Sequence, residues 1–280
     1  MMGLFCRARQ PVELPMRIAS LYRYPVKGLS PERLPSAVLE TDAWFPGDRL
    51  FAIENGPSGF DPADPQHQPK IKFLMLMRHQ MLARLRTCFD DATGDLVIAY
   101  EGGEVLRAST RTGEGRGLIA AFFEGFMPAE LRGKPRLLRA PDGFRFTDSR
   151  SGHVSIINLA SIADLESRIG SACDPLRFRG NIMVEGLDPW AEFDLVGQEL
   201  AAPSGLRLKV TKRIDRCAAT NVDPVSGARD LQIPKALMSA YGHIDCGVYC
   251  EIVAGGRLEE GERLTLGAQA APERTSLGIA

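Results

Sequence analysis

The 280-residue sequence lacks the features that would place it in a membrane or on a nucleic acid. No apolar run approaches the roughly 20 residues that a membrane-spanning helix needs. The apolar part of residues 1–9 is too short for a signal peptide. The net charge is −1, so the chain has no global electrostatic footprint for nucleic acid. We therefore predict a cytoplasmic globular protein with neither a membrane nor a nucleic acid as its partner.

The cysteines are few and follow no regular spacing. Six occur in the chain: Cys6, Cys88, Cys173, Cys217, Cys246 and Cys250. A small secreted protein built on disulfides would show a framework of paired spacings. The scatter in this long chain instead predicts reduced thiols, in agreement with a cytoplasmic location.

Several catalytic signatures are missing as well. The chain has no Walker-type phosphate loop and no H-E-x-x-H zinc motif. The glycine-rich segment 113–117 lacks the spacing and the preceding strand of a dinucleotide-binding fingerprint, so we interpret it as a flexible connection. Parallel β-α-β alternation is not evident, which argues against a dinucleotide-binding fold.

What the sequence does contain is many short strand patterns. Apolar or alternating runs bounded by turn residues predict strands at residues 17–24, 38–40, 49–53, 82–89, 96–100, 181–184, 206–210, 247–253 and 263–266. Short helices are predicted at residues 118–126, from an Asn158 cap to Gly170, and at residues 234–241. The predicted fold class is mainly β with a few short helices, arranged as barrels or a barrel-like sheet.

One cysteine, Cys217, stands out by its surroundings. Three cations lie close to it in the sequence: Lys212, Arg213 and Arg216. Positive charge favours the thiolate, which is the form that attacks electrophiles and binds soft metals. The following Asp223-Pro224-x-x-Gly227 segment is typical of a turn and would place Cys217 at the rim of a pocket. The alternative is a buried structural cysteine, and local charge alone leaves the two interpretations balanced.

A second cysteine pattern, Cys246-x-x-x-Cys250, would in principle bind a metal. We predict that both cysteines lie on one face of a strand, two pleats apart. Because no second pair of ligands accompanies them, we interpret the pair as strand packing.

Cationic residues also occur where strands begin or the backbone turns. They are Lys27 after Tyr24-Pro25-Val26, Arg49 at the start of a strand, and the arginines of Arg177-Phe178-Arg179-Gly180-Asn181. Taken singly, such residues are usually solvated. Taken with Cys217, they would line a pocket for an anion that carries a metal, because arginine suits phosphate and asparagine both donates and accepts.

Four motifs in this order resemble one protein family. They are Tyr24-Pro25-Val26-Lys27, Gly47-Asp48-Arg49, Phe178-Arg179-Gly180-Asn181 and Arg216-Cys217-x-x-Thr220-x-Val222-Asp223-Pro224-x-x-Gly227. Together they resemble MOSC-domain proteins, named for the C-terminal domain of molybdenum-cofactor sulfurase, and among these the bacterial proteins akin to the mitochondrial amidoxime-reducing component. The resemblance implies a MOSC N-terminal β-barrel domain at residues 16–127 and a MOSC β-barrel domain at residues 128–268. We expect residues 1–15 and 269–280 to be disordered tails.

The resemblance also implies a cofactor and its ligands. Cys217 would be the catalytic residue and the metal ligand, binding a molybdenum that pterin dithiolene sulfurs also hold. The pterin and its phosphate would be held by Lys27, Arg49, Ser149, Ser151, Arg179, Asn181, Arg216 and Thr220. Asp223 would organise the turn and would not bind the metal. Neither haem, an iron–sulfur cluster nor pyridoxal phosphate is expected in this chain.

The function that the resemblance implies is molybdenum-dependent reduction of N-hydroxylated compounds: amidoximes, hydroxylamines and N-hydroxylated bases. Because no four-cysteine cluster follows Leu266, we expect the electrons to come from a separate ferredoxin- or flavoprotein-type donor. Two alternatives remain. One is a sulfur or molybdenum-cofactor carrier with a persulfide on Cys217. The other is a thiol-dependent hydrolase that pairs Cys217 with His153 or His243.

Overall fold

The computed structural model describes residues 16–151 and 154–267, and strands dominate them. The strands are β1 (Arg17–Arg23), β2 (Glu32–Leu34), β3 (Ser36–Leu39), β4 (Phe51–Asn55), β5 (Arg86–Phe89), β6 (Asp95–Tyr100), β7 (Gly103–Ser109), β8 (Pro135–Arg139), β9 (Val154–Asn158), β10 (Ile182–Glu185), β11 (Glu199–Ala201), β12 (Arg207–Asp215), β13 (Asp245–Ala254), β14 (Gly256–Glu259) and β15 (Thr265–Leu266). The helices are α1 (Gly113–Phe126), α2 (Leu159–Ile169) and α3 (Ile233–Tyr241). Short 3₁₀ turns cover Lys70–Lys72, Gln80–Arg84, Pro128–Glu130, Pro175–Phe178, Ala191–Leu195 and Ala218–Asn221.

The predicted fold class, mainly β with a few short helices, is confirmed. None of the helices within the described residues has the length and apolar character of a membrane span. The tails that we expect to be disordered, residues 1–15 and 269–280, lie outside the described residues.

One large sheet organises the molecule. Its eight strands run in the order β15-β11-β12-β13-β9-β10-β1-β2, so β1 pairs with β10 from the second half of the chain and with its sequence neighbour β2. Neighbours are antiparallel except β9 and β10, which are parallel and joined by α2. The expectation that no β-α-β unit occurs is therefore wrong at this one place. All five residues of β9 are buried, so the strand shows no alternation from which it could be predicted.

Helix α2 forms as its sequence predicts. The Asn158 side chain accepts a hydrogen bond from the Ala160 backbone N–H, and Gly170 ends the helix in the left-handed region. Ile162 and Leu165 are buried and pack toward the sheet with α3. The helix thereby covers part of one sheet face.

Smaller sheets belong mainly to the first half of the chain. They are β5-β6-β7, β4-β8 and β3-β14. The segment 113–117 is not a flexible connection, because it forms the first turns of α1. Thr112 caps the helix, and Gly115 lies so close to β7 that a Cβ there would come within 2.1 Å of the Ser109 carbonyl oxygen. Residues 80–84 likewise form a 3₁₀ turn before β5, so the predicted strand over 82–89 is only half correct.

The two faces of the large sheet bury different clusters. Cys250 belongs to the main apolar core on one face, together with Val248 and Ile252. Cys246 packs on the other face with α2 and α3. The prediction that both cysteines share a face is wrong, because Gly247 at a φ of 78° interrupts the alternation of β13. The two thiols therefore cannot act as a ligand pair on one side of the strand.

Candidate functional site

A cavity of about 760 Å³ opens on the same face of the sheet as α2 and α3, beside the part of that face that these helices do not cover. Every residue that the sequence analysis assigned to the cofactor site lines it: Lys27, Arg49, Ser149, Ser151, Arg179, Asn181, Arg216, Cys217 and Thr220. These residues come from segments up to 193 positions apart in the chain, from Lys27 to Thr220. The fold therefore brings all nine together in one place.

Part of the cavity wall is a row of side chains across the sheet. Lys212 on β12 pairs with Tyr249 on β13, and Tyr249 pairs with Ser155 on β9. Asn181, just before β10, accepts hydrogen bonds on its side-chain oxygen from the Ser155 hydroxyl at 2.8 Å and the Ser155 backbone N–H at 3.1 Å. All four residues line the cavity. The row is polar because this stretch of the sheet faces the cavity.

Two short segments from the first half of the chain supply further wall residues. The Arg49 backbone N–H donates to the Tyr24 carbonyl at 2.7 Å, and the Lys27 N–H donates to the Phe51 carbonyl at 2.8 Å. The Asp48 carboxylate accepts from the Tyr24 N–H at 2.8 Å and pairs with the Arg49 guanidinium. These bonds fix the Lys27 and Arg49 side chains relative to each other.

Arg49 and Arg179 both place a guanidinium group near the ring of Tyr24. The guanidinium carbon lies 4.9 Å from the ring centroid for Arg49 and 4.2 Å for Arg179. Both arginines adopt a left-handed backbone conformation, with φ of 46° and 52°, which is strained for a residue with a side chain. Arg49 Nη2 donates to the Arg179 carbonyl at 3.1 Å, so the strained residues support each other.

The Arg179 side chain carries an unused donor. Its Nη1 donates to the Leu29 carbonyl at 2.7 Å, whereas its buried Nη2 has no hydrogen-bond partner. Burial and the neighbouring Arg49 lower the pKa of Arg179 to about 10. A buried guanidinium with an unsatisfied N–H, in a wall already rich in cations, is costly unless an anion lies beside it.

Lys27 is buried and bonded to two oxygens. Its ammonium donates to the Phe146 carbonyl at 2.9 Å and forms an ion pair with Asp148. Burial lowers the pKa of Lys27, against the attraction of Asp148. Burial also opposes ionisation of Asp148, but the Lys27 charge and hydrogen bond outweigh it and hold the pKa of Asp148 below its ordinary value.

Cys217 is the second residue after the end of β12 and directly precedes the 3₁₀ turn Ala218–Asn221. The Thr220 hydroxyl and backbone N–H both donate to the Cys217 carbonyl, at 2.9 and 3.1 Å, which closes that turn. The half-buried Cys217 side chain lines the cavity. The structure therefore favours a cavity position for Cys217 over a place in an apolar core.

The three cations near Cys217 in the sequence have separate positions. Arg216 is buried and donates to the backbone carbonyls of Cys246 and Phe178, so much of its hydrogen-bonding capacity holds the backbone. Lys212 donates to the hydroxyls of Ser149 and Ser151 at 3.0 and 3.2 Å. Arg213 does not line the cavity, because its guanidinium lies 4.3 Å from the ring centroid of Phe193.

Asp223 organises the turn after Cys217, as predicted. Its Oδ1 accepts from the backbone N–H groups of Val225 and Ser226 at 3.1 and 2.7 Å. Its other oxygen accepts from the buried Arg177, which also binds Asp230. The turn is thereby attached to the segment that leads to Arg179.

The two histidines proposed as partners of Cys217 do not support a thiol–histidine pair. His243 packs against Trp190, Phe193 and Tyr241 and is absent from the described residues that line the cavity. His153 lies outside the described residues. Among the histidines that the structure describes, His67, from the irregular loop before β5, lines the cavity.

Sequence reasoning missed several cavity residues. Asp148 and Tyr249 line the cavity, and Tyr24 lies behind it, but their contacts reach across the fold. Of these, only Tyr24 had a signal, because it belongs to a quoted motif. The described part of the cavity lining contains eight lysines and arginines against three aspartates, in a chain whose net charge is −1. This concentration of positive charge suits a ligand with several negative charges.

Comparison with protein families gives two matches along the chain. The model of the MOSC N-terminal beta barrel domain matches residues 15–124, and the model of the MOSC domain matches residues 144–265. The chain is a MOSC-domain protein. MOSC domains are associated with the molybdenum cofactor.

One curated relative of this MOSC-domain protein is the human mitochondrial amidoxime-reducing component 1. It is 30% identical over 113 residues, which cover 39% of this chain and 31% of the relative. The match thus spans about a third of the relative's length.

Two solved structures are also similar. The YuaD protein from Bacillus subtilis is 11% identical, with a TM-score of 0.43, over 91% of this chain and 97% of its own. YiiM from Geobacillus stearothermophilus is 19% identical, with a TM-score of 0.34, over 41% of this chain and 54% of its own.

The residues of the MOSC-domain cavity fit such a cofactor. The unpartnered Arg179 Nη2 is a donor for a phosphate oxygen, and a thiol side chain is a ligand that suits a metal already held by sulfur. Lys27, Arg49 and Lys212 add charge that would offset the anionic group. The donors thus match both parts of the ligand, the phosphate and the metal.

Proposed function

We propose that this protein binds the molybdenum cofactor in the cavity and reduces N-hydroxylated small molecules. The observation that carries the proposal is that Cys217 lines the same cavity as Arg179, a buried cation with an unpartnered donor. A thiol ligand and an anion-binding group in one cavity are what a phosphate-bearing metal cofactor requires. The similarity to the amidoxime-reducing component supports the choice of substrate class.

The residues of the chain would divide the work of binding. Cys217 would hold the metal, and Arg179, Arg49 and Lys27 would hold the pterin phosphate. Ser149, Ser151, Asn181, Arg216 and Thr220 would support the cavity walls, largely through the backbone and side-chain bonds described above. When bound, the cofactor supplies two-electron redox chemistry.

The overall reaction breaks the N–O bond of the substrate. It consumes two electrons and two protons and gives the corresponding N–H compound and water. We propose a separate ferredoxin- or flavoprotein-type protein as the source of the electrons. Burial raises the pKa of Tyr249, so its hydroxyl stays protonated at neutral pH and presents an O–H group to the cavity.

The proposal is tested by metal content and turnover together. The protein is produced in a host that makes the cofactor, and molybdenum and pterin are quantified in wild type, Cys217→Ala and Cys88→Ala. Cys88 is a matched control because it is an exposed cysteine that does not line the cavity. Reduction of benzamidoxime is then measured with reduced viologen as the electron donor.

We expect near-stoichiometric molybdenum and turnover in wild type and Cys88→Ala, and loss of turnover in Cys217→Ala. Turnover retained in Cys217→Ala would overturn the role of Cys217. Wild type that carries molybdenum but reduces no N-hydroxylated compound would overturn the reductase and favour a cofactor carrier.

A further inference from the structure

One part of the cavity lining has a different chemistry from the cationic wall. Three apolar residues, Leu76, Met77 and Ala219, belong to this part of the lining. Leu76 and Met77 precede the 3₁₀ turn Gln80–Arg84 and are half-buried, whereas the preceding Met75 is buried. Ala219 follows Cys217 by two residues. We call Leu76, Met77 and Ala219 the apolar lip.

An arginine outside the cavity lining connects the two segments of the lip. Arg229 Nη2 donates to the backbone carbonyls of Met77 at 2.7 Å and Leu76 at 3.1 Å, and its Nη1 donates to the Ala218 carbonyl at 3.3 Å. One guanidinium therefore bridges residues 76–77 to the residue that follows Cys217. Arginine's rigid fork makes such a bridge specific in geometry.

A second contact holds the same two segments together. Gly227, in the turn after Cys217, lies against the segment that follows the lip, so that a Cβ there would come within 3.0 Å of the Gln80 carbonyl oxygen. Arg229 itself is placed by a backbone bridge between Val222 and Arg229. The lip and Cys217 are thus fixed relative to each other by backbone contacts. Leu76 also packs against the apolar core that contains Leu74 and Leu82, whereas Met77 and Ala219 belong to none of the described core clusters.

We propose that the apolar lip binds the organic part of the N-hydroxylated substrate and that Arg229 is its positioning residue. The inference rests on the proposed function and names its substrate class: compounds whose N–OH group is attached to an uncharged apolar or aromatic body. The cations of the cavity suit the anionic cofactor, and the same charge disfavours a cationic substrate. The lip is the part of the lining next to Cys217 that offers dispersion contacts and burial of apolar area.

The methionine gives the lip a further property. An unbranched thioether side chain adapts to different shapes and makes favourable contacts with aromatic rings. The lip should therefore accept planar organic groups of different shapes and select substrates by the polarity of that group more than by its shape. In the reaction, the substrate N–O bond breaks, the oxygen leaves as water, and two electrons from the donor protein and two protons complete the N–H product, while the body on the lip is unchanged.

The test compares two substrates of the holoenzyme. Benzamidoxime carries an aromatic body, whereas hydroxylamine has the N–OH group and no body. Values of kcat/KM are measured for both with reduced viologen in wild type, Met77→Ser, Leu76→Ser and Arg229→Met, and molybdenum content is measured in each. Met238→Ser is the matched control, since Met238 is an exposed methionine of α3 outside the cavity.

We expect the ratio of kcat/KM for benzamidoxime to that for hydroxylamine to fall on the order of tenfold in Met77→Ser and Leu76→Ser, mainly through KM. Arg229→Met should lower the same ratio several-fold with molybdenum content retained, because the lip would lose its fixed position beside Cys217. A merely structural loss would instead lower kcat/KM equally for both substrates. Met238→Ser should leave the ratio unchanged.

Equal losses for both substrates in the lip variants would overturn the inference while leaving the proposed function in place. A wild type that reduces neither substrate would overturn the proposed function itself. An unchanged ratio in Arg229→Met, with the ratio lowered in the lip variants, would overturn the positioning role alone.

Discussion

Strands β12 and β13 pair with each other, and cysteines lie in β13 and just past the end of β12. The two regions differ in what surrounds the sulfur atoms. Cys250 lies in the main apolar core and Cys246 lies against α2 and α3, both without solvent exposure. Burial raises the pKa of Cys246 to about 12 and also raises that of Cys250. Cys217, just past the end of β12, lines a polar cavity. The strands are shared, so the neighbours decide which thiol is available for chemistry.

The largest expected effect comes from replacing a cysteine of each region by alanine. Under the proposed function, Cys217→Ala should lower N-hydroxyl reduction at least a hundredfold, because the cofactor would lose the ligand that we propose for its metal. The free energy of unfolding should change by less than about 0.5 kcal/mol. Cys250→Ala should have the opposite pattern, costing about 1–2 kcal/mol of stability through lost core packing while reduction per folded molecule is retained. Turnover assays and urea unfolding check both. Equal stability losses in the two variants would show that the regions do not differ as described.

The next effect separates a cation inside the cavity from one that is only near it in the sequence. Arg179→Met should weaken retention of the cofactor about 10- to 100-fold, because a charged donor to the anion is lost. Arg213→Met removes a cation that stacks on Phe193 outside the cavity, and it should leave retention unchanged. Molybdenum and pterin content after dialysis measures both. Equal loss in the two variants would indicate a diffuse electrostatic effect.

A smaller effect tests how firmly the Cys217 region is fixed to its surroundings. Gly227 has a φ of 75°, and a Cβ there would crowd the Gln80 carbonyl. Gly227→Ala should cost about 1–2 kcal/mol in the free energy of unfolding and lower molybdenum content. Gly205→Ala is the matched control, because Gly205 has a φ of 90° and open space around its Cβ position. If both variants lose the same stability and molybdenum, the contact with Gln80 has no role of its own.

The smallest effect is a pH dependence that the apolar core does not share. The folded-state pKa of Asp148 is below its ordinary value, so its pair with Lys27 stabilises the fold above about pH 4 and loses this contribution as the pH falls through the folded pKa. Asp148→Asn should therefore cost on the order of 0.5–1 kcal/mol at pH 6 and less at pH 3, a modest size because the Asp148 side chain is half-exposed. Urea unfolding of wild type and variant at both values measures the difference. A difference that grows toward low pH would contradict the pairing.

Local sequence patterns predicted the elements whose signals are local. Helix α2 was predicted from Asn158 to Gly170 because its cap and its stop are side-chain and backbone effects within a few residues. The start of α1 was missed because Gly115 serves a close approach to Ser109, which no local pattern contains. The prediction that Cys246 and Cys250 share a face of β13 is wrong for a similar reason, since one glycine in that strand, Gly247, shifts the alternation of side chains.

The site residues depended on resemblance more than on pattern. Lys27, Arg179 and Cys217 are far apart in the chain, and it is the order of their motifs that predicted one site. Asp148 escaped prediction as a partner of Lys27 because the pair joins positions 121 residues apart. Arg213 was placed near Cys217 by sequence, but β12 carries its side chain away from the cavity.

The place of β1 in the large sheet has a consequence for synthesis of the protein. β1 pairs with β10, which leaves the ribosome roughly 160 residues later, so at ordinary translation rates it waits on the order of ten seconds for that partner. Its core residues Ile18 and Leu21 are fully buried in the finished fold and exposed during that interval. Its other neighbour in the sheet, the three-residue β2, is made soon after it but pairs with only three residues of β1. The nascent chain therefore has an unpaired strand edge there until β10 emerges.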